Sequence, residues 1–194
     1  LDSDNEILKE GKESFQSVLM LSNAHCVYFR CVDDYNCLIG PENLPDFLTL
    51  DYCLNEVVGE TFGVYRKNAY LEEFLKEDIV RLRRFESIAV LRLLQSRGPA
   101  EVSNVKLRKY SFESPDRLSS KSGVMKDAVI MAEGHFILLK EFWPRLKVKK
   151  IARSIPFVVT LYSYRLKLKT GKSKGYKLFS NLFLVQRVPK TIWT

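Results

Sequence analysis

The chain has 194 residues, 46% of them hydrophobic and 28% charged, which excludes wholesale disorder and allows a core without disulfide or metal staples. The net charge of +8 is unevenly placed: residues 1–97 hold 11 Lys/Arg against 17 Asp/Glu, and residues 98–194 hold 20 against 6. No stretch approaches the ~20 consecutive apolar residues of a membrane helix, so an integral membrane protein is not expected.

The first residues are acidic and lack the apolar run of a signal peptide. A start at Leu1 without an initiator methionine suggests an excised or processed piece. The segment 2–14, broken by Gly11, reads as a frayed lead-in. Residues 15–21 and 25–32 read as two strands around the turn Ser22-Asn23-Ala24, giving an expected hairpin. A short helix is expected from Pro45-Asp46, capped by Asp46 and stopping near Gly59. The strongest signal is a stripe of Leu71, Leu75, Ile79, Leu82, Phe85, Ala89 and Leu93 at spacings of three and four. It predicts one long amphipathic helix over about 68–97, capped by Asn68 and ended by Gly98-Pro99. Its polar side would show Arg81, Arg83, Arg84 and Arg92.

Beyond Pro99 the period changes. Residues 104–112 read as a strand, and 114–123 as a polar loop. Residues 128–131 and 135–139 read as a hairpin around Ala132-Glu133-Gly134, broken by Trp143-Pro144. The basic stretch 146–150 leads to two long arms, 157–169 and 176–188, joined by a tip at 170–175. The predicted class is α+β: antiparallel hairpins or a sheet packed on one long helix plus a short one. An acidic unit 1–97 and a basic unit 98–194 are expected to combine in one domain.

The basic ribbon carries the functional expectation. After Glu141 no acidic residue occurs, while 13 Lys/Arg follow. One-signed surfaces of this length attract anions. In a strand, Arg165, Lys167 and Lys169 would share one face and Tyr164, Leu166 and Leu168 the other. Lys172, Lys174 and Lys177 would continue the cationic row, and Lys147, Lys149 and Lys150 the approach to it. Such cations contact phosphates, and Tyr164 and Tyr176 are candidates for stacking on bases. The expectation is therefore a non-enzymatic nucleic-acid-binding module in the cytoplasm or nucleus. The alternatives are docking on an acidic protein, including the chain's own acidic half, or on anionic lipid.

Other chemistries lack their parts. The segment 168–179 resembles the first hairpin of a pleckstrin-homology domain, where a basic loop meets inositol phosphates. That resemblance implies phosphoinositide binding, but the family needs further strands and a C-terminal helix after the hairpin, so membership is not assigned. Gly171-Lys172-Ser173 matches the end of a phosphate loop, yet Leu166 occupies the place of its first glycine. His25, Cys26, Cys31, Cys37 and Cys53 contain no CxxC spacing, so neither a zinc site nor a disulfide is expected. His25 and His135 sit in apolar strand patterns. Asp116, Glu133 and Lys140 are too scattered for a metal-dependent nuclease strand. No catalytic residue, cofactor or metal is expected.

Overall fold

The computed structural model describes residues 5–81, 87–110 and 128–170. The class is α+β, as expected: a mixed five-stranded sheet packed against several helices. The strands are β1 (Asn5–Ile7), β2 (Cys26–Val32), β3 (Phe47–Leu48), β4 (Thr61–Tyr65) and β5 (Ala100–Tyr110). Their order is β1-β5-β2-β4, with β3 also pairing with β5. β2 and β5 run parallel, with Val27 opposite Glu101; the other pairings are antiparallel.

β2 forms because its seven residues are apolar or aromatic apart from Arg30, and all seven are buried. Burial on both sides requires cover on both faces. On one face Val27, Phe29 and Leu107 meet Phe15, Val18 and Leu19 of helix α1 (Lys9–Leu21). On the other, Cys26 and Tyr28 meet Leu50 and Leu54 of α2 (Leu50–Asn55) and Leu91 and Leu94 of α5 (Ser87–Arg97). Arg30 is 2% exposed and donates to the carbonyls of Pro41 and Glu42, which ties the loop after β2 to the core.

Several expected elements are replaced. Residues 15–21 belong to α1, so the hairpin with β2 does not form. Phe15, Val18 and Leu19 have helical spacing, and their burial on the sheet decides the conformation. Gly11 lies inside that helix because a Cβ there would stand 2.7 Å from the Lys106 carbonyl oxygen. The short helix starts later than expected: Thr49 is the cap, its hydroxyl accepting from the Tyr52 N–H (3.2 Å), and Phe47–Leu48 is strand.

The long helix over 68–97 is broken into α3 (Lys67–Phe74), α4 (Glu77–Arg81) and α5, with Arg66 and not Asn68 as the cap of α3. In one straight helix Ile79 and Ile88 would stand about 13 Å apart along the axis. Both are buried in one cluster with Ala89, so α4 and α5 do not continue one straight helix. Gly98, at φ +92°, ends α5 as expected, its N–H donating to the Leu94 carbonyl.

The second half departs furthest. The hairpin expected over 128–139 is a single helix, α6 (Ala128–Phe142), followed by a 3₁₀ turn at Trp143–Arg145. The arm 157–169, expected as a strand, lies inside helix α7 (Val148–Thr170). The strand expected over 104–112 is β5, which begins earlier, at Ala100. The loop 114–123, the tip from 171 and the arm 176–188 lie outside the described residues.

Candidate polyanion-binding surface

The approach to α7 is built by the end of α2. Asn55 donates its side-chain amide to the Arg145 carbonyl (2.9 Å), and its amide oxygen accepts the Lys147 N–H (2.7 Å). Arg145 pairs with Asp51 at 3.6 Å, and the Lys147 ammonium bonds Glu56. Leu146, between the two cations, is buried in the core shared with Leu50 and Leu54. This clamp fixes where α7 starts and in which direction its first turns run.

From there the register of α7 separates two sides. Ile151 packs against the main core, and Ser154 is 2% exposed. The Ser154 hydroxyl donates to the Lys150 carbonyl (3.1 Å) and lies 3.1 Å from His135 Nδ1 of α6. The His135 ring stacks on Phe157 with centroids 4.2 Å apart. Burial pushes the His135 pKa down to about 4, so the ring is neutral at physiological pH. Lys149 and Arg153 lie on the solvent side, as do Val148 and Ile155.

The charge arrangement at this end is unfavourable for an isolated helix. The first turn of α7 has no acidic residue, while Lys149, Lys150 and Arg153 stand near its positive end. A helix dipole favours anions there and disfavours cations. Burial, followed by the Arg153 charge, holds the Lys150 ammonium below its ordinary pKa, against the opposing pull of Glu56. An external anion here would relieve both effects.

Of the sequence-predicted residues, Lys147, Lys149 and Lys150 are therefore brought together, with Lys147 already bonded to Glu56. Arg165, Lys167, Lys169 and Tyr164 lie on a helix, so the one-face row expected of a strand does not exist: residues two apart are not on one face of a helix. Lys172, Lys174, Lys177 and Tyr176 lie outside the described residues. Arg153 and Arg145 were missed; their spacing from Lys149 on a helix would have marked Arg153. Also missed were the cations of β5. Lys106 reaches the Asn36 carbonyl (3.4 Å), Lys109 pairs with Asp34 (3.6 Å), and Arg108 lies over the Tyr110 ring.

The remaining candidates sort as follows. All four cysteines are free thiols. Burial pushes Cys26 up to about 12 and Cys31 and Cys53 up to about 11, so these three are protonated and poor ligands or nucleophiles. Among the described residues no three His, Cys, Asp or Glu side chains are grouped to hold a metal. Glu133 and Lys140 are both on α6, two turns apart, and not on one strand; Asp116 lies outside the described residues. Of the arginines expected on the polar side of the long helix, Arg92 bridges Asp78 (2.7 Å) and Glu141 (2.6 Å); Arg83 and Arg84 lie outside the described residues. An open cleft of about 510 Å³ at the start of β2 and β5 is lined by His25, Phe47, Arg97 and Glu101. Two of its charges are already satisfied: Ser22 donates to Glu101 (2.5 Å) and Arg97 bonds Glu72. His25 Nε2 is itself buried and has no hydrogen-bond partner among the described residues. Among the described residues no helix is long and apolar enough to cross a membrane. Comparison of the chain with family models, with curated proteins and with solved structures finds no match.

Proposed function

We propose that the protein is a non-enzymatic binding module of the cytoplasm or nucleus whose basic C-terminal region engages nucleic acid through its phosphates. The observation that carries this reading is the crowding of Lys149, Lys150 and Arg153 at the positive end of α7, with no acidic residue in its first turn. Phosphates placed there would bond the exposed Lys149 and Arg153 and gain from the helix dipole. The cations farther along, Arg165, Lys167, Lys169, Lys172, Lys174 and Lys177, extend the same charge through a stretch free of acidic residues. Tyr164 and Tyr176 are the proposed stacking groups for unpaired bases.

A second reading, docking on an acidic protein surface, has its own support. The same region already takes carboxylates from Asp51 and Glu56, and exposed Trp143, Val148 and Ile155 stand beside the cations as apolar surface that phosphates would not use. Capture from a cell extract with and without nuclease separates the two. Nucleic-acid binding predicts retained material that nuclease removes; a protein that stays bound after nuclease favours the second reading. Retention by phosphoinositide vesicles alone would overturn both in favour of a lipid surface.

A further inference from the structure

β4 is an edge strand. It pairs with β2 on one side, and no described strand pairs with its other side. Edge strands in stable monomers are usually protected by Lys, Pro or a bulge. Thr61-Phe62-Gly63-Val64-Tyr65 contains neither residue, and its register with β2 runs without a shift. The alternation of an antiparallel ladder shows which backbone groups face outward. The Arg66 N–H donates to the His25 carbonyl (2.9 Å), so the groups of Val64 and Phe62 also point to β2. Those of Thr61 and Gly63 then point to the open edge.

The sequence around this edge reads symmetrically about Gly63. Two copies laid antiparallel with Gly63 opposite Gly63 set Phe62 against Val64 and Glu60 against Arg66, in both directions. Gly63 is outward-facing, so the central pair is of the hydrogen-bonded kind. Phe62 opposite Val64 and Glu60 opposite Arg66 then fall in the closer, non-hydrogen-bonded positions, where side chains meet. Phe62 and Val64 belong to the α1 side of the sheet, so their pairing would continue that apolar cluster across the two-fold axis. A small residue lies at the centre of the axis: Gly63, held so by Tyr28 Cε1 and the Tyr65 hydroxyl, which would stand 2.9 and 2.7 Å from any Cβ.

We infer that β4 is the contact through which the chain forms a two-fold dimer, the two sheets joining edge to edge about Gly63. A second copy supplies an apolar residue opposite each apolar residue and places Arg66, whose guanidinium also bonds the Ser22 and Ala24 carbonyls, opposite each Glu60, which an arbitrary peptide strand does not. An isologous contact of this kind closes after two copies and does not propagate.

Sedimentation velocity on the full chain, followed from high to low concentration, tests this. The expected result is a dimer that dissociates on dilution. Thr61→Pro removes an outward N–H that the β2 pairing does not use, and Glu60→Lys sets like charges opposite Arg66. Each is expected to abolish the dimer while leaving the circular dichroism spectrum and melting curve unchanged. A readout on the unaltered chain stands independently of these variants: Gly63 amide exchange should slow as concentration rises, while Val64 exchange stays constant. A monomer at every concentration, a dimer that both variants leave intact, or Gly63 exchange indifferent to concentration would each overturn the inference.

Discussion

Lys147 gives its ammonium to Glu56, a residue 91 positions earlier in the acidic half of the chain. The bond joins the end of α2 to the start of α7 and places a carboxylate beside the cations proposed to meet phosphates. The Lys147 ammonium, bonding the carboxylate directly, holds Glu56 below its ordinary pKa. Glu56 therefore stays charged and competes with an incoming polyanion. Replacing it by Gln frees Lys147 without changing shape. Glu56→Gln is expected to tighten nucleic-acid binding and to steepen its salt dependence by about one unit in the log–log slope. Anisotropy titrations at a series of salt concentrations measure both.

The reverse substitutions address Lys149 and Arg153. Lys149 lies exposed in the first turn of α7, where a cation is disfavoured by about 0.3–1 kcal/mol, and Arg153 lies exposed one turn farther on. Lys149→Gln and Arg153→Gln should therefore leave stability unchanged or slightly raised. Each should weaken binding to all sequences alike and reduce the salt slope by about one. Denaturant melts and salt titrations of the same preparations separate the two effects. A loss of binding confined to one nucleic-acid sequence would argue for base contacts instead.

Arg92 links α5 to α4 and α6 by bonding Asp78 and Glu141 at once. All three side chains are less than about a third exposed, at 17%, 32% and 31%. Removing the arginine would leave two carboxylates without their cation, so Arg92→Met is expected to cost about 1–3 kcal/mol in urea melts. The hydrogen bond from Arg92 keeps the Asp78 pKa depressed. Its stabilising contribution is present above the ordinary carboxylate pKa and is lost as pH falls through the lower, folded value. The variant should thus show a flatter acid limb in its stability profile.

His135 reports on the packing of α6 against α7. With its folded pKa near 4 and an unfolded value near 6.5, the unfolded chain binds the extra proton over that interval. Stability should therefore fall as pH drops from about 6.5 to 4, by up to about 3 kcal/mol from this group. His135→Gln should remove that portion of the decline. A pH series of chemical melts reads it directly, and an unchanged slope in the variant would show that the ring is not buried between the helices.

Gly11 sets helix propensity against packing. Alanine in a helix interior is favoured over glycine by about 1 kcal/mol. At this position the added methyl meets the Lys106 carbonyl oxygen at 2.7 Å and Leu107 Cα at 3.1 Å, both backbone atoms of β5. Overpacking of this kind costs about 1–3 kcal/mol, so the clash wins and Gly11→Ala is expected to destabilise. Equilibrium unfolding of the single variant gives the sign.

What was legible in the sequence follows from which pattern was local. β2 was readable because six of its seven residues are apolar or aromatic, a run that needs burial whatever surrounds it. The end of α5 was readable because Gly98 and Pro99 act on the backbone itself. The spacing of Phe15, Val18 and Leu19 was available but lost within a short apolar run that a strand fits equally well. α6 is apolar on most of its circumference, so no period could mark it, and Gly134 mimicked a turn. The alternation Tyr164-Arg165-Leu166-Lys167-Leu168-Lys169 has the period of a strand, yet the helix begun at Val148 and packed on α6 continues through it. The parallel pairing of β2 with β5 joins segments more than seventy residues apart, a relation that neither propensity nor period encodes. Of the site, the basic approach at Lys147, Lys149 and Lys150 was legible from charge alone. Its partners Asp51, Asn55 and Glu56 were not, because only the fold brings them there.

The most direct test of the central claim is the affinity of the full chain for single- and double-stranded nucleic acid across a salt series. The account predicts binding at low salt with a logarithmic affinity that falls linearly as the logarithm of salt rises, and a shallower slope in Lys149→Gln and Arg153→Gln. No binding at low salt, or binding indifferent to salt, would contradict it.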